Sequence, residues 1–345
     1  MSDHSSPRFT LSRTLAGLFV FVIIFALGGT AGWYICIHGI NLNSRNLDIN
    51  QTREVAANEK FKFINPLLTC DLTYKKDLEQ FMPLKEKIVK VINEHVKVGD
   101  LATASIYFDT RDGKWLGINT NEQYFPASLM KVPLLVAYLK SAETHPDLLA
   151  KKLWYDGKFN LNSIEYFKAT STLAGGHYYS MDELLRRMIV NSGNNSTILL
   201  YNNIELGVLE GIYNDLGINL PASEDLTLAD YMTVKSYSSF FRILYNASYL
   251  SRAMSEKALS ILSQSQFFYG IRAGVPEGTV VSDKFGERSN SSDPLDPVSD
   301  KQLHDCGIIY YPGHPYLLCV MTKGNNFDKL ASVIKDISHN GVSIC

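Results

Sequence analysis

The stretch Phe125-Pro126-Ala127-Ser128-Leu129-Met130-Lys131 sets a serine and a lysine three residues apart at the head of an apolar segment that reads as a helix. Residues at that spacing are neighbours on a helix surface, so the amine can reach the hydroxyl. A serine at a helix N-terminus also sits where the dipole favours developing negative charge. The lysine can relay or accept the serine proton only if its own pKa is lowered, by burial or by nearby positive charge. Spacing alone is weak evidence. Ser332-Val333-Ile334-Lys335 repeats it on the last helix, where nothing else supports chemistry.

Working outward, the N-terminal side reads as helix, strand, turn and strand. Leu84, Ile88, Val91, Ile92 and Val96 make one stripe of a helix over 84–95. A strand is expected at 102–108 and another at 115–118, joined at Arg111-Asp112-Gly113, where Asp-Gly signals a hairpin. On the C-terminal side the chain is helical first. Met181, Leu184, Leu185, Met188 and Ile189 keep a helical period behind the capping box Ser180-Met181-Asp182-Glu183. Helical patterns continue over 197–201, 208–216, 234–246 and 255–264. Strands follow at 279–284, 307–311 and 316–322, the last two turned by Pro312-Gly313-His314-Pro315. A final amphipathic helix carries Phe327, Leu330, Ile334 and Ile337. Strands at both ends with helices between imply an α/β (α+β) fold, with one antiparallel sheet and an all-helical insert.

The chain has 345 residues, 46% hydrophobic and 20% charged, with a net charge of −2. That is enough apolar material for a sizeable core, and no basic stripe marks a nucleic-acid binder. Lys75-Lys76 and Lys151-Lys152 read as solvated helix faces. Arg8 and Arg13 precede a nearly unbroken apolar run over 15–37, long enough to cross a hydrocarbon core as a helix. Trp33 and Tyr34 extend it as interfacial aromatics, which favours an uncleaved anchor; small residues at 28–32 leave a cleaved signal peptide as the alternative. The expected organisation is a cytoplasmic N-terminus at 1–13, a single span at 14–38, a linker at 39–72 and an extracytoplasmic domain at 73–345. Five cysteines without Cys-x-x-Cys spacing, and eight scattered histidines, indicate no metal site and no cofactor. Cys306 and Cys319 flank the turn at 312–315 and would face each other across it, either as a disulfide or as two buried thiols.

Two further stretches accompany the serine. Asn191-Ser192-Gly193-Asn194 offers a hydroxyl and an amide at a helix-to-helix turn, and Val281-Ser282-Asp283-Lys284-Phe285-Gly286 places a lysine and a glycine on a strand. In this order and context the three resemble the Ser-x-x-Lys, Ser-Asp-Asn and Lys-Thr-Gly motifs of class A β-lactamases and related penicillin-binding enzymes. The resemblance spans roughly residues 84–337. It implies a five-stranded antiparallel sheet with an inserted helical subdomain and a site in the cleft between them. It also implies Ser128 as the acylated nucleophile, Lys131 as its activator, Ser192 as proton donor to the leaving nitrogen and Asn194 as holder of the substrate amide. Lys284 would bind the substrate carboxylate. Phe285 and Gly286 would line the substrate strand, and the N–H groups of Ser128 and Glu287 would form the oxyanion hole. Tyr178 or Tyr179 stands where the family often places an aromatic wall, with plain surface exposure the equal alternative for either. The implied partner is a small-molecule or cell-wall peptide substrate.

Three departures qualify the resemblance. Gly193 replaces an aspartate, which would loosen the turn. Phe285 replaces a hydroxyl residue and removes a hydrogen bond to the substrate carboxylate, worth about 1–3 kcal/mol if its partner is left unpaired. The stretch 216–232 lacks the Glu-x-x-x-Asn pattern that positions a deacylating water in efficient lactamases. Glu224, Asp225 and Asp230 lie there, and Glu224 is the candidate for that role. Acylation is therefore expected and turnover left open. A D,D-peptidase or cell-wall amidase would use the same nucleophile. A non-catalytic penicillin-binding module or receptor is the other rival, and the dozen residues ahead of the span are too few for an intracellular signalling domain.

Overall fold

A computed structural model describes residues 61–64, 77–110, 114–221, 229–289 and 301–342. The expected span at 14–38, nearly all of the linker, the Asp112-Gly113 turn, Glu224, Asp225, Cys36, Cys70 and Cys345 lie outside the described residues. Among those described, no helix is long and apolar enough to cross a membrane.

The first helix, α1 (Asp77–Lys97), starts well before the expected 84 and carries Pro83 inside it. Proline removes a hydrogen bond from a helix interior. Phe81 offsets that loss: it is buried and meets the Phe108 ring edge-on at 5.9 Å. Strands β1 (Thr103–Asp109), β2 (Trp115–Ile118) and β3 (Gln123–Tyr124) follow. A 3-10 turn, Ala127–Met130, then runs into α2 (Lys131–Thr144), where Val132 to Leu139 are all buried. A helix apolar on every side belongs in the middle of a core.

Next come β4 (Lys152–Tyr155), β5 (His177–Ser180), α3 (Met181–Val190), α4 (Asn194–Tyr201) and α5 (Leu206–Asp215). Ser180 caps α3 as expected, its hydroxyl accepting from the Glu183 N–H at 3.1 Å. The β4–β5 hairpin has no counterpart in the sequence reading, because Trp154 and Tyr178 alternate outward and pair with each other in solvent. The chain continues through β6 (Met232–Thr233), α6 (Val234–Tyr245), α7 (Arg252–Leu262) and α8 (Ile271–Gly274). It ends with β7 (Val281–Ser289), β8 (Lys301–Ile309), β9 (Tyr316–Gly324) and α9 (Phe327–Val342).

Five strands form one sheet in the order β2-β1-β9-β8-β7, every pair antiparallel. Its two faces alternate along each strand. Leu318 and Val320 of β9 pack with Leu84, Ile88, Ile334 and Ile337 from the terminal helices. Leu317, Cys319 and Met321 point the other way, into a core with Leu135, Leu184, Phe240 and Leu259 of the helical insert. Each buried Leu or Phe stabilises by about 1.5–3 kcal/mol, so the two faces together fix the strand register. Cys306 and Cys319 are direct cross-strand partners and form a disulfide on the insert side.

Strands β7 and β8 run further than their apolar patterns suggested. Gln302, His304 and Asp305 interrupt β8 in sequence, yet all three are buried with hydrogen-bond partners: Gln302 with Phe125 N–H, His304 with Phe125 O and Asp305 with Ile271 N–H. Gln302 and His304 are satisfied there, Asp305 through one oxygen only, its Oδ1 being left without a partner, and the strand continues through all three.

Candidate active site

Ser128 lies half-buried in the turn that feeds α2. Ala127, just before it, has φ +50°, a left-handed conformation that disfavours any residue with a side chain. Such strain persists only where the surroundings over-determine it. Here Tyr237 donates to Leu129 O at 2.9 Å, and Tyr213 and Tyr231 each reach Met130 Sδ at 3.1 Å. His304 Nε2 lies 3.0 Å from Phe125 O, which can only accept, so Nε2 carries the proton. Nδ1 accepts the Thr322 N–H at 3.3 Å. Burial depresses the His304 pKa to about 4, and the ring acts as a neutral strut.

Lys131, the first residue of α2, is almost fully buried. Its Nζ donates to Ser192 O at 2.5 Å, Ser192 Oγ at 3.0 Å and Asn194 Oδ1 at 2.8 Å. Lys284 comes from the opposite wall, its Nζ donating to the same Ser192 Oγ at 3.0 Å and to Phe285 O at 2.7 Å. Ser192 sits at φ +55° between α3 and α4. Burial, and then the charge of Lys284, hold the Lys131 pKa well below its usual value. Burial lowers Lys284 to about 8.

The turn carrying Ser192 is not loosened by Gly193. The Gly193 N–H donates to Arg187 O at 3.2 Å, and a Cβ there would lie 3.3 Å from that same oxygen. A side chain there would press on the end of α3 by a few tenths of an ångström.

Strand β7 is a sheet edge, and its hydrogen-bond alternation sets the second wall. The Tyr310 N–H bonds Val280 O, so even-numbered residues of β7 face β8 and odd ones turn their N–H and C=O outward. The Glu287 N–H and Phe285 O therefore point to the open edge. The Ser128 turn packs there so closely that a Cβ on Gly286 would lie 2.8 Å from Pro126 O and 3.0 Å from Leu129 N.

Of the expected groups, Lys131, Ser192, Lys284 and Asn194 are joined by hydrogen bonds, and the turn that carries Ser128 packs on Gly286, one residue before Glu287. Tyr178 does not join them: it is 64% exposed and packs on Trp154. Tyr179 is buried, with its hydroxyl bonded to the Ala174 backbone. The Phe285 ring stacks on Phe267 at 4.1 Å, on the sheet face away from the helical insert. Asp230 is engaged elsewhere, with Gln302 at 2.9 Å and Lys323 at 3.1 Å.

Two groups at the site had no signal in the sequence. Asn162 Oδ1 accepts the N–H groups of Asn194 at 2.7 Å and Asn195 at 3.3 Å. Glu165, buried at 9% exposure, has its pKa raised to about 7, by desolvation first and Glu287 next, against the opposing pull of Lys131 and Lys284. Both lie in the loop between β4 and β5, far in sequence from every motif. Among the described residues, no group of three or more His, Cys, Asp or Glu is placed to hold a metal ion.

A family model described as "Beta-lactamase enzyme family" matches residues 83–342. The structure is similar to that of a beta-lactamase from Sphaerobacter thermophilus, at 19% identity and TM-score 0.62 over 75% of this chain and 96% of that one. A beta-lactamase from Chitinophaga pinensis is similar at 18% identity and TM-score 0.61, over 75% and 97% of the respective chains. A PBP-A variant, described as an acyl-enzyme complex with penicillin G, is similar at 18% identity and TM-score 0.58, over 74% and 95%. At these identities the likeness is one of fold. No curated protein sequence matches the chain.

Proposed function

The chain belongs to the beta-lactamase enzyme family, and we propose that it is a serine hydrolase acylated at Ser128 by β-lactams or by related cell-wall amides. The observation that carries this reading is the shared Ser192 hydroxyl, which accepts from Lys131 and Lys284 at 3.0 Å each. It gives one continuous proton path from the nucleophile's helix to the substrate strand.

In this reading the neutral Lys131 amine takes the Ser128 proton as Oγ attacks the carbonyl carbon. General-base help of this kind contributes about 10²–10⁴-fold. The N–H groups of Ser128 and Glu287 receive the oxyanion, each donor worth about 10²–10³ in rate. As the C–N bond breaks, Ser192 gives its proton to the leaving nitrogen and regains one from Lys131. Lys284 attracts a substrate carboxylate, while Asn194 and the backbone of Phe285, Gly286 and Glu287 hold the amide on the acyl side. Lactam and D,D-peptide substrates share these steps and differ only in the acyl and leaving groups.

We also propose that the apolar run at 15–37 tethers the domain outside the cytoplasm. The Cys306–Cys319 disulfide supports that compartment, since such bonds persist where the environment is oxidising. Resistance of the protein to alkaline extraction from membranes, with the domain cleaved by protease added outside intact cells, is the expected result.

The enzyme reading is tested with a chromogenic lactam. Mixing should give a burst stoichiometric with protein, lost in Ser128→Ala. An undiminished burst in that variant would remove Ser128 from the role. Release of D-alanine from a muropeptide would assign the peptidase substrate, and multiple turnovers of the lactam the other.

A further inference from the structure

Hydrolysis of an acyl-Ser128 ester needs a base for the incoming water, and the groups above are occupied. Lys131 already serves the acylation step in the reading above, and its Nζ bonds Ser192 and Asn194. The Glu287 carboxylate accepts the N–H groups of Tyr166 at 2.6 Å and Phe167 at 3.2 Å, one on each oxygen. Asp283 accepts from Arg272 and Asp305 from the Ile271 N–H, both fully buried.

Glu165 remains. The loop that carries it is pinned to both walls of the groove. At one end Asn162 accepts from Asn194 and Asn195, Leu161 N–H donates to Asn195 Oδ1 at 2.8 Å, and Asn194 Nδ2 donates to Leu161 O at 3.2 Å. At the other end the Tyr166 and Phe167 N–H groups bind Glu287. Asn194 is the residue that Lys131 bonds, and Glu287 is the residue whose N–H faces the Ser128 turn. The three residues between the anchors, 163–165, therefore cross from one wall to the other. Glu165 is nine-tenths buried there, within electrostatic reach of both Lys131 and Lys284, and its Oε2 is buried with no hydrogen-bond partner. A buried acceptor without a donor is costly. A water O–H would satisfy it.

We propose that Glu165 is the base that activates the deacylating water at Ser128, supplied by the β4–β5 loop rather than by the segment between α5 and β6. The inference rests on the acyl-enzyme reading above. Glu165 takes a proton from water as the water oxygen bonds to the acyl carbon, and the oxyanion forms against the N–H groups of Ser128 and Glu287. The C–Oγ bond then breaks, the carboxylic acid product leaves, and the proton held by Glu165 passes to Ser128 Oγ. One water is consumed and no other reactant is required. A carboxyl titrating near 7 suits a base at neutral pH.

The test follows the adduct of a fluorescent penicillin on the full chain, by gel and intact mass, in wild type, Glu165→Gln, Glu165→Asp and Glu224→Gln. Glu165→Gln should acylate at a rate close to wild type and keep its label roughly 100-fold longer or more. Hydroxylamine, a nucleophile that needs no base, should strip that label. Wild-type release should rise with pH through about 7, as Glu165 ionises, and Glu165→Asp should keep that limb at a lower rate while Glu165→Gln loses it. Release from Glu165→Gln as fast as from wild type overturns the proposal. So does a permanent wild-type adduct, trapping by Glu224→Gln alone, or faster acylation of Glu165→Gln with unchanged release, which would make Glu165 a plug in the groove. No label on either wild type or Glu165→Gln instead defeats the acylation reading itself.

Discussion

Lys131 and Lys284 meet through one atom: each Nζ lies 3.0 Å from Ser192 Oγ, so the two nitrogens are at most about 6 Å apart. Two ammonium charges at that distance repel by about 3 kcal/mol at an effective dielectric constant near 20. Both are buried, and the repulsion adds to desolvation. Lys131 yields first, its pKa held well below the usual lysine range, while Lys284 titrates at about 8.

That coupling predicts a bell-shaped acylation profile. As pH falls, Lys131 gains a proton and kcat/KM drops. As pH rises through about 8, Lys284 loses its charge and KM for a carboxylate-bearing lactam increases. Replacing Lys284 with Met removes the neighbouring charge, so the Lys131 pKa rises and the acid limb moves to higher pH. Stopped-flow acylation across pH 5–10 reads both limbs; an acid limb unmoved by the substitution would mean the lysines are not coupled.

The chemical role proposed for Ser192 and its conformational one are separable by substitution. Ser192→Ala and Ser192→Gly both remove the shared hydroxyl, and acylation should fall about 10²–10⁴-fold in each. At φ +55° glycine is unstrained, so the glycine variant should be the more stable of the two by about 1 kcal/mol. Thermal melts and acylation rates of the pair check this.

Gly286→Ala puts a methyl against the backbone atoms Pro126 O and Leu129 N, 2.8 and 3.0 Å away. Neither can swing aside as a side chain would. The Ser128 turn must shift off β7, separating the two N–H groups proposed to receive the oxyanion. A displacement on that scale can cost about 10²-fold in rate. Overpacking itself costs about 1–3 kcal/mol in stability. Activity close to wild type would show that the turn and the strand edge do not act together.

Behind the site, Asp305 is fully buried, and desolvation and then the Asp283 charge push its pKa well up, while Arg272 bonds Asp283 at 2.7 Å. A carboxyl whose pKa is raised in the folded state stabilises fully only below the unfolded value, about 3.9. Stability then declines as pH rises toward the folded value. Asp305→Asn should flatten this decline and match or exceed wild type in Tm at pH 7–8. Arg272→Met leaves Asp283 buried without its partner and should cost about 3–5 kcal/mol.

The sequence carried the sheet, the capped helix and the three motifs because each is written locally: period-two strands, a Ser180–Glu183 capping box and the Ser128–Lys131 spacing. It did not show β8 in full, since buried His304 and Asp305 look like loop residues until their partners are known. The β4–β5 hairpin escaped because its outward aromatics pair with each other instead of a core. Glu165 and Asn162 escaped for a different reason. A lone carboxyl or amide in a polar loop has no pattern, and only tertiary anchoring on Asn194 and Glu287 brings it to the groove. Tyr178 and Tyr179 could not be told apart in sequence, and only packing turns the first ring to solvent against Trp154 and buries the second.

The most direct test of the central claim is the mass of the intact protein after brief exposure to penicillin G at neutral pH, followed by peptide mapping. The account predicts a gain equal to one whole penicillin molecule, since ring opening expels nothing, located on the peptide that contains Ser128 and absent from Ser128→Ala. An unmodified protein, or an adduct on any other residue, would contradict it.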